Sequence, residues 1–317
     1  MRDASRFGAE TTASEVAEGI DLGGKLALVT GGSSGLGQET ARVLAARGAH
    51  VIVTARNRSK GEAVAEEIRR STNNPCVEVE ELELGSMKNI RAFADRFLAR
   101  HPALHLLIDN AGVMACPFGK TEDGIELQFG SNHVGHFLLT CLLAPALRKA
   151  APSRIVSVSS RGHQMSPVVF DDIQFERRPY DKWQAYGQSK TANVLFAVGL
   201  ERRLASRGVH ALALHPAGII TELGRHLEPN DLQLLLKRRP GLKMKSVEAG
   251  AATQVFAATA PELEGRGGVY LEDCHVAAVN DAADAQEGVR SYALDAVNAD
   301  RLWDVSEKLV SERFPLA

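Results

Sequence analysis

Seven short β-rich runs punctuate the chain, and several of them are apolar without any polar alternation. They are Leu26–Thr30, His50–Ala55, Val77–Leu84, Leu104–Asp109, Arg154–Ser159, Val209–His215 and Gly268–Leu271. A strand with one wet face alternates, whereas a strand buried on both faces does not, and two-faced burial belongs to parallel sheets covered by helices. The intervening stretches fit the covering layers: Gly37–Arg47, Ser59–Ser71, Met87–Arg100, Gly124–Lys149, Asp181–Ser206 and Ser246–Ala260 read as helices. Strand–helix alternation with short punctuation predicts a single-domain, Rossmann-type α/β fold with a doubly wound parallel sheet of about seven strands.

No shift in composition divides the 317 residues, a length that open α/β sheets often reach as one unit. Residues 1–20 read as an N-terminal extension in which Thr12–Ala13–Ser14–Glu15 has the form of a helix capping box. Residues 21–317 are expected to form the single remaining domain. The segment near 219–245 breaks the rhythm with a leucine-rich, basic piece at Leu232–Arg239. A surface helix and a substrate lid inserted after the sixth strand fit it equally well.

Lysine and arginine total 37 against 39 acidic residues, a formal charge of −2. No broad positive field exists for nucleic acid or anionic lipid. Cys76, Cys116, Cys141 and Cys274 stand far apart, without zinc-ligand spacing or a disulfide framework, which fits a reducing compartment. The first twenty residues lack the apolar core of a signal peptide, and no run nears the roughly 20 apolar residues that span a bilayer. The expectation is a cytoplasmic protein with neither nucleic acid nor membrane as partner and with no metal.

The first strand ends in Thr30–Gly31–Gly32–Ser33–Ser34–Gly35–Leu36–Gly37, after which a helix opens. Glycines at such a turn let the backbone approach a pyrophosphate whose charge the helix N-terminus stabilises. The spacing is G-x-x-x-G-x-G, so Gly31, Ser33, Ser34, Gly35, Leu36 and Gly37 become candidate dinucleotide contacts. NAD-binding sheets carry a carboxylate at the end of the second strand. Here that strand runs into Ala55–Arg56–Asn57, and the Arg56 guanidinium suits a 2′-phosphate. NADP(H) is favoured, with NAD(H) left open.

Tyr186 and Lys190 stand four residues apart on a predicted helix, hence on one face. Bringing a tyrosine from about 10 to about 7 takes roughly 4 kcal/mol, more than a lysine alone usually supplies; a cationic nicotinamide ring could add the rest. Upstream, the fifth strand ends in Ser159–Ser160 and the fourth in Asp109–Asn110–Ala111–Gly112, at the strand ends where parallel sheets bind ligands.

These pieces, in this order, resemble the short-chain dehydrogenase/reductase family. Leu107–Met114, Asn132–Thr140 and Ser189–Phe196 resemble its retinol-dehydrogenase-like branch, and the resemblance runs from Lys25 to at least Leu271. It implies an enzyme that interconverts a carbonyl and an alcohol. Tyr186 would be the general acid or base, with Lys190 lowering its pKa and holding the nicotinamide ribose. Ser160, rather than its neighbour Ser159, would bind the substrate oxygen, and Asn132 would hold a water linking Lys190 to solvent. Asn110, Ala111 and Gly112 would border the cofactor, Glu83 and Leu84 its adenine, and Pro216, Gly218, Ile219 and Thr221 its carboxamide. An apolar aldehyde or ketone is the implied substrate, and a homodimer or homotetramer the implied assembly.

Three positions depart from the family's pattern. Asp109 stands where Asn is usual, Glu83 where Asp is usual, and Ala217 where Gly follows Pro216. His133 and His136 read as a packed or solvent-facing pair, His163 as a candidate pocket residue, and Trp183 and Trp303 as packing residues. Two other readings stay open: a carbon–carbon double-bond reductase of the same superfamily, and a non-catalytic NADP(H)-binding regulator.

Overall fold

The computed structural model describes residues 7–219, 221–228, 230–231 and 244–316. Eight strands form one sheet in the order β3-β2-β1-β4-β5-β6-β7-β8. They are β1 Leu26–Val29, β2 His50–Ala55, β3 Val77–Glu81, β4 Leu106–Asp109, β5 Ser153–Val158, β6 Val209–Leu214, β7 Tyr270–Glu272 and β8 His275–Val276. The first seven are parallel. The eighth, absent from the seven expected, is a two-residue strand antiparallel to β7, too short to leave a periodic signal.

Successive residues of β1 show why the strands read as continuous apolar runs. Leu26 and Leu28 enter one core layer, while Ala27 and Val29 enter the other. Helices α4 (Met87–Arg100), α6 (Gly135–Lys149), α7 (Lys182–Leu204) and α11 (Ala296–Leu309) cover the first face. Helices α1 (Ala13–Val16), α2 (Gly35–Ala46), α3 (Arg58–Thr72) and α9 (Ala252–Thr259) cover the second; α8 (Val247–Gly250) precedes α9 and α10 (Ser291–Leu294) precedes α11.

The N-terminal extension is docked onto this body. The expected capping box forms at Thr12 and Glu15, and Ala13, Val16 and Ala17 are buried against the α2–α9 layer. The helix expected from Gly124 begins at Leu127 with the short α5 (Leu127–Phe129) and runs through a π-helical turn, Gly130–Val134, before α6. Helix α11 was not apparent in the sequence. Its Trp303 packs against Phe137 at 4.9 Å between ring centroids and lies under the Arg203 guanidinium. His133 is buried beneath it, with Nε2 at 2.8 Å from Ser306 Oγ. The leucine-rich piece Leu232–Arg239 lies outside the described residues.

Asp109, the first departure noted above, ends β4 fully buried. One carboxyl oxygen accepts from the Thr140 hydroxyl at 2.9 Å and the other has no partner. Burial pushes its pKa from 3.8 up to about 8. The folded chain therefore keeps a proton between about pH 4 and 8 that the unfolded chain releases, so stability falls as pH rises through that window. Asp109→Asn is expected to flatten this slope and to gain roughly 1–3 kcal/mol over the parent at pH 8, with little gain at pH 4. Thermal melts across that range check it; parallel pH curves would refute it.

Candidate active site

The carboxyl ends of the central strands open on one cleft of about 1690 Å³. It lies where strand order reverses between β1 and β4, the crevice in which open α/β sheets bind ligands. The glycine turn forms one wall. Gly31 and Gly35 take φ of +64° and +54°, values that glycine adopts without a Cβ penalty. Helix α2 starts here with Ser34 as N-cap, yet no side chain caps it and its first turn holds no acid. Asn57, Ser86 and Asp181, in contrast, cap α3, α4 and α7 with side-chain oxygens. The uncapped N–H groups and positive dipole end of α2 therefore border the cleft, an arrangement that fits a diphosphate.

Gly31, Ser33, Ser34, Gly35, Leu36 and Gly37 all line this wall. Arg56, Glu83 and Leu84 line its adjoining end, with Asn110, Ala111 and Gly112 beside the turn. Pro216, Gly218, Ile219 and Thr221 line the opposite side. Arg56 is exposed and makes no ion pair among the described residues. Glu83 folds back, its carboxylate accepting from the Gly85 N–H at 2.9 Å. Ala217 sits at φ +91°, a conformation that strains any side chain; its N–H is held by His215 Nδ1 at 3.0 Å.

The other half of the cleft carries the reactive groups. Tyr186 and Lys190, one turn apart on α7, are both buried and both line it. Lys190 Nζ lies 5.7 Å from the Tyr186 ring centroid and donates to the Val158 carbonyl at 3.0 Å. Ser160 accepts from the Gly162 N–H at 3.0 Å, and its side chain acts on the Tyr186 phenol to lower its pKa. Ser159 also borders the cleft, but its hydroxyl is spent on the Lys190 carbonyl at 2.7 Å. Burial pushes Tyr186 up to about 12 against this effect of Ser160, and pushes Lys190 down to about 8. The lowering expected of Lys190 is not among the influences on Tyr186, where desolvation dominates.

Asn132 does not line the cleft. It lies fully buried in the π turn, where its Nδ2 donates to the Val113 carbonyl and to Ser189 Oγ, each at 2.9 Å. Its Oδ1 accepts from the Val113 N–H at 2.8 Å. It thereby ties the loop after β4 to the helix that carries Lys190. His136 ties the same turn to β1: Nδ1 donates to the Asn132 carbonyl at 3.0 Å, and Nε2 meets Thr30 Oγ1 at 2.9 Å. Burial holds His136 down to about 4, so it is neutral and its tautomer follows from these partners.

His163 is a correction to the sequence reading. It is fully buried behind the cleft, donating from Nδ1 to the Ser160 carbonyl at 2.8 Å and accepting at Nε2 from the Arg290 N–H at 3.2 Å. It braces the Ser160 turn. Trp303 packs as expected, whereas Trp183 lines the cleft. Residues unnoticed in the sequence also face it, among them Lys60, Arg161, Met114, Leu127, Met165 and Leu223. Arg161 directly follows Ser160, and its Nε and Nη1 are buried without a hydrogen-bond partner.

This constellation on a doubly wound sheet is that of a dinucleotide-dependent oxidoreductase, and comparison with known proteins agrees. The profile of the short chain dehydrogenase family matches residues 25–232. Retinol dehydrogenase 12 of Mus musculus is 44% identical over 291 residues, covering 92% of this chain and 88% of its own. A short-chain dehydrogenase/reductase of Penicillium rubens is 43% identical, covering 90% and 85%. A crystal structure of an uncharacterized protein from Mycobacterium paratuberculosis is 34% identical with a TM-score of 0.72, covering 95% of this chain and 98% of that one. The chain belongs to the short-chain dehydrogenase family and is an NAD(P)-using oxidoreductase. Among the described residues, no helix is long and apolar enough to cross a membrane.

Proposed function

We propose that this enzyme interconverts an apolar aldehyde or ketone and its alcohol, prefers NADP(H), and uses Tyr186 to move the proton. The observation that carries the reading is the meeting of Ser160, Tyr186 and Lys190 in the cleft that also holds the glycine turn. When bound, the nicotinamide supplies or accepts a hydride and, oxidised, adds a positive ring charge. Ser160 hydrogen-bonds the substrate oxygen and steadies the alkoxide as charge develops. Tyr186, neutral at physiological pH, donates its proton to that oxygen in reduction and takes it back in oxidation. Lys190 keeps one N–H on the Val158 carbonyl, and its remaining N–H groups would hold the nicotinamide ribose. Asn132 is a positioning residue that holds the loop after β4 against α7.

Met114, Leu127, Met165, Trp183 and Leu223, which line the same cleft as the reactive groups, support an apolar substrate. The printed names of the retinol dehydrogenase relatives agree with it. Thr221–Glu228 and Met244 also border the cleft, which favours a covering role for these residues. For the dinucleotide, the unpaired Arg56 guanidinium and the lack of a carboxylate at the end of β2 favour a 2′-phosphate.

The test follows nicotinamide absorbance with NADPH or NADH over a panel of aliphatic, aromatic and steroidal aldehydes and ketones. Turnover with NADPH is expected, fastest on apolar carbonyls. Arg56→Ala is expected to raise KM for NADPH about 10- to 100-fold, the range for losing hydrogen bonds to a charged group, and to leave NADH almost unaffected. Equal loss for both cofactors would overturn the preference.

A further inference from the structure

Glu222, in the first turn after Thr221, reaches across the cleft to the far side of the sheet. Its two carboxylate oxygens stand 2.6 and 2.8 Å from Lys60 Nζ in the first turn of α3. The Ser34 side chain, at the head of α2, helps to hold the same carboxylate below its ordinary pKa, after the larger effect of Lys60. All three residues line the cleft, as does Arg56, four residues before Lys60. Thr221 packs so closely over the glycine turn that a Cβ on Gly35 would meet its methyl at 3.2 Å. A carboxylate of the chain's own thus pairs with Lys60 in the cleft that Arg56 and Ser34 also line.

We propose that Glu222 competes with the cofactor's 2′-phosphate for Lys60, and is thereby a determinant of selectivity between NADP(H) and NAD(H). This rests on the reading that Arg56 receives that phosphate. A dinucleotide with a 2′-phosphate brings a second, more highly charged anion to the same ammonium group and must break the Glu222–Lys60 pair or tolerate its negative charge nearby. A dinucleotide ending in a 2′-hydroxyl asks for neither, and leaves the bridge across the cleft in place. Glu222 therefore moderates a preference that Arg56 creates. Both partners are about half exposed, so the effect is one of a few-fold and is screened by salt.

The experiment measures Kd for NADPH and for NADH by nicotinamide fluorescence, without substrate, in the parent enzyme and in E222Q, E222D and R56A. E222Q is expected to bind NADPH about three- to ten-fold more tightly, with NADH changed by less than about two-fold. E222D, which keeps the charge, should stay near the parent, and the E222Q gain should shrink as ionic strength rises. An E222Q Kd that is unchanged, or that moves equally for both cofactors, overturns the inference. Selective loss of NADPH in R56A alongside an inert E222Q removes Glu222 alone from the account. Non-selective loss in R56A instead removes the reading of Arg56 on which it stands.

Discussion

Tyr186→Phe is expected to lower kcat about a thousand-fold or more while NADPH still binds with nearly parental affinity. The size follows from what is deleted: a positioned proton donor contributes on the order of 10²–10⁴ in rate, and the Ser160 partnership is lost with it. The phenylalanine keeps the ring, which fills the space against Gly162, where a Cβ would come within 2.6 Å of Tyr186 Cε1. The fold should therefore hold. Binding should persist because the glycine turn and Arg56 are untouched. Fluorescence titration and turnover on one sample separate the two effects. A variant that binds and still turns over at a tenth of the parental rate would remove Tyr186 from the proton-transfer role. Such a result would move attention to Ser160.

Much of this arrangement was legible in the chain because local chemistry set it. Unalternating runs such as Leu104–Asp109 marked strands with two buried faces, and the glycine turn after β1 marked the cleft. Tyr186 and Lys190 were legible because helical spacing alone puts them on one face. Of the two adjacent serines, Ser159 spends its hydroxyl on the Lys190 carbonyl, which leaves Ser160 as the one proposed to bind the substrate oxygen. What stayed hidden depends on distant partners. Lys60 reads as one more charge on an exposed helix until Glu222, 162 residues later, is found on it. His163, just past the fifth strand, reads as a candidate pocket residue. The 3-10 turn that Ser160 caps carries it inward, and its two ring nitrogens are taken by backbone groups. The π turn at Gly130–Val134 leaves the apolar pattern of a helix nearly unchanged, so nothing in the residue order announced it.

Gly37→Ala tests how tightly the cofactor wall is built. A Cβ at Gly37 would stand 2.5 Å from Asn110 Nδ2 and closer still to the Gly31 carbonyl oxygen. Neither neighbour can yield. Asn110 is fixed by its Nδ2 donation to the Thr30 carbonyl at 2.8 Å, and Gly31 belongs to the turn itself. The methyl must therefore push α2 away from the β1–β4 seam, moving the uncapped helix end that the diphosphate needs. Forcing a group into such packing typically costs about 1–3 kcal/mol. Dinucleotide affinity should accordingly fall about ten- to hundred-fold, for NADPH and NADH alike, because both share the diphosphate. Gly119→Ala supplies the control: there the nearest atom is Leu127 Cδ2 at 3.6 Å, an ordinary contact. Its melting temperature and both dissociation constants should match the parent's. Loss confined to NADPH in the Gly37 variant would contradict the shared-diphosphate account, and unchanged binding would mean that α2 does not set the position of the cofactor.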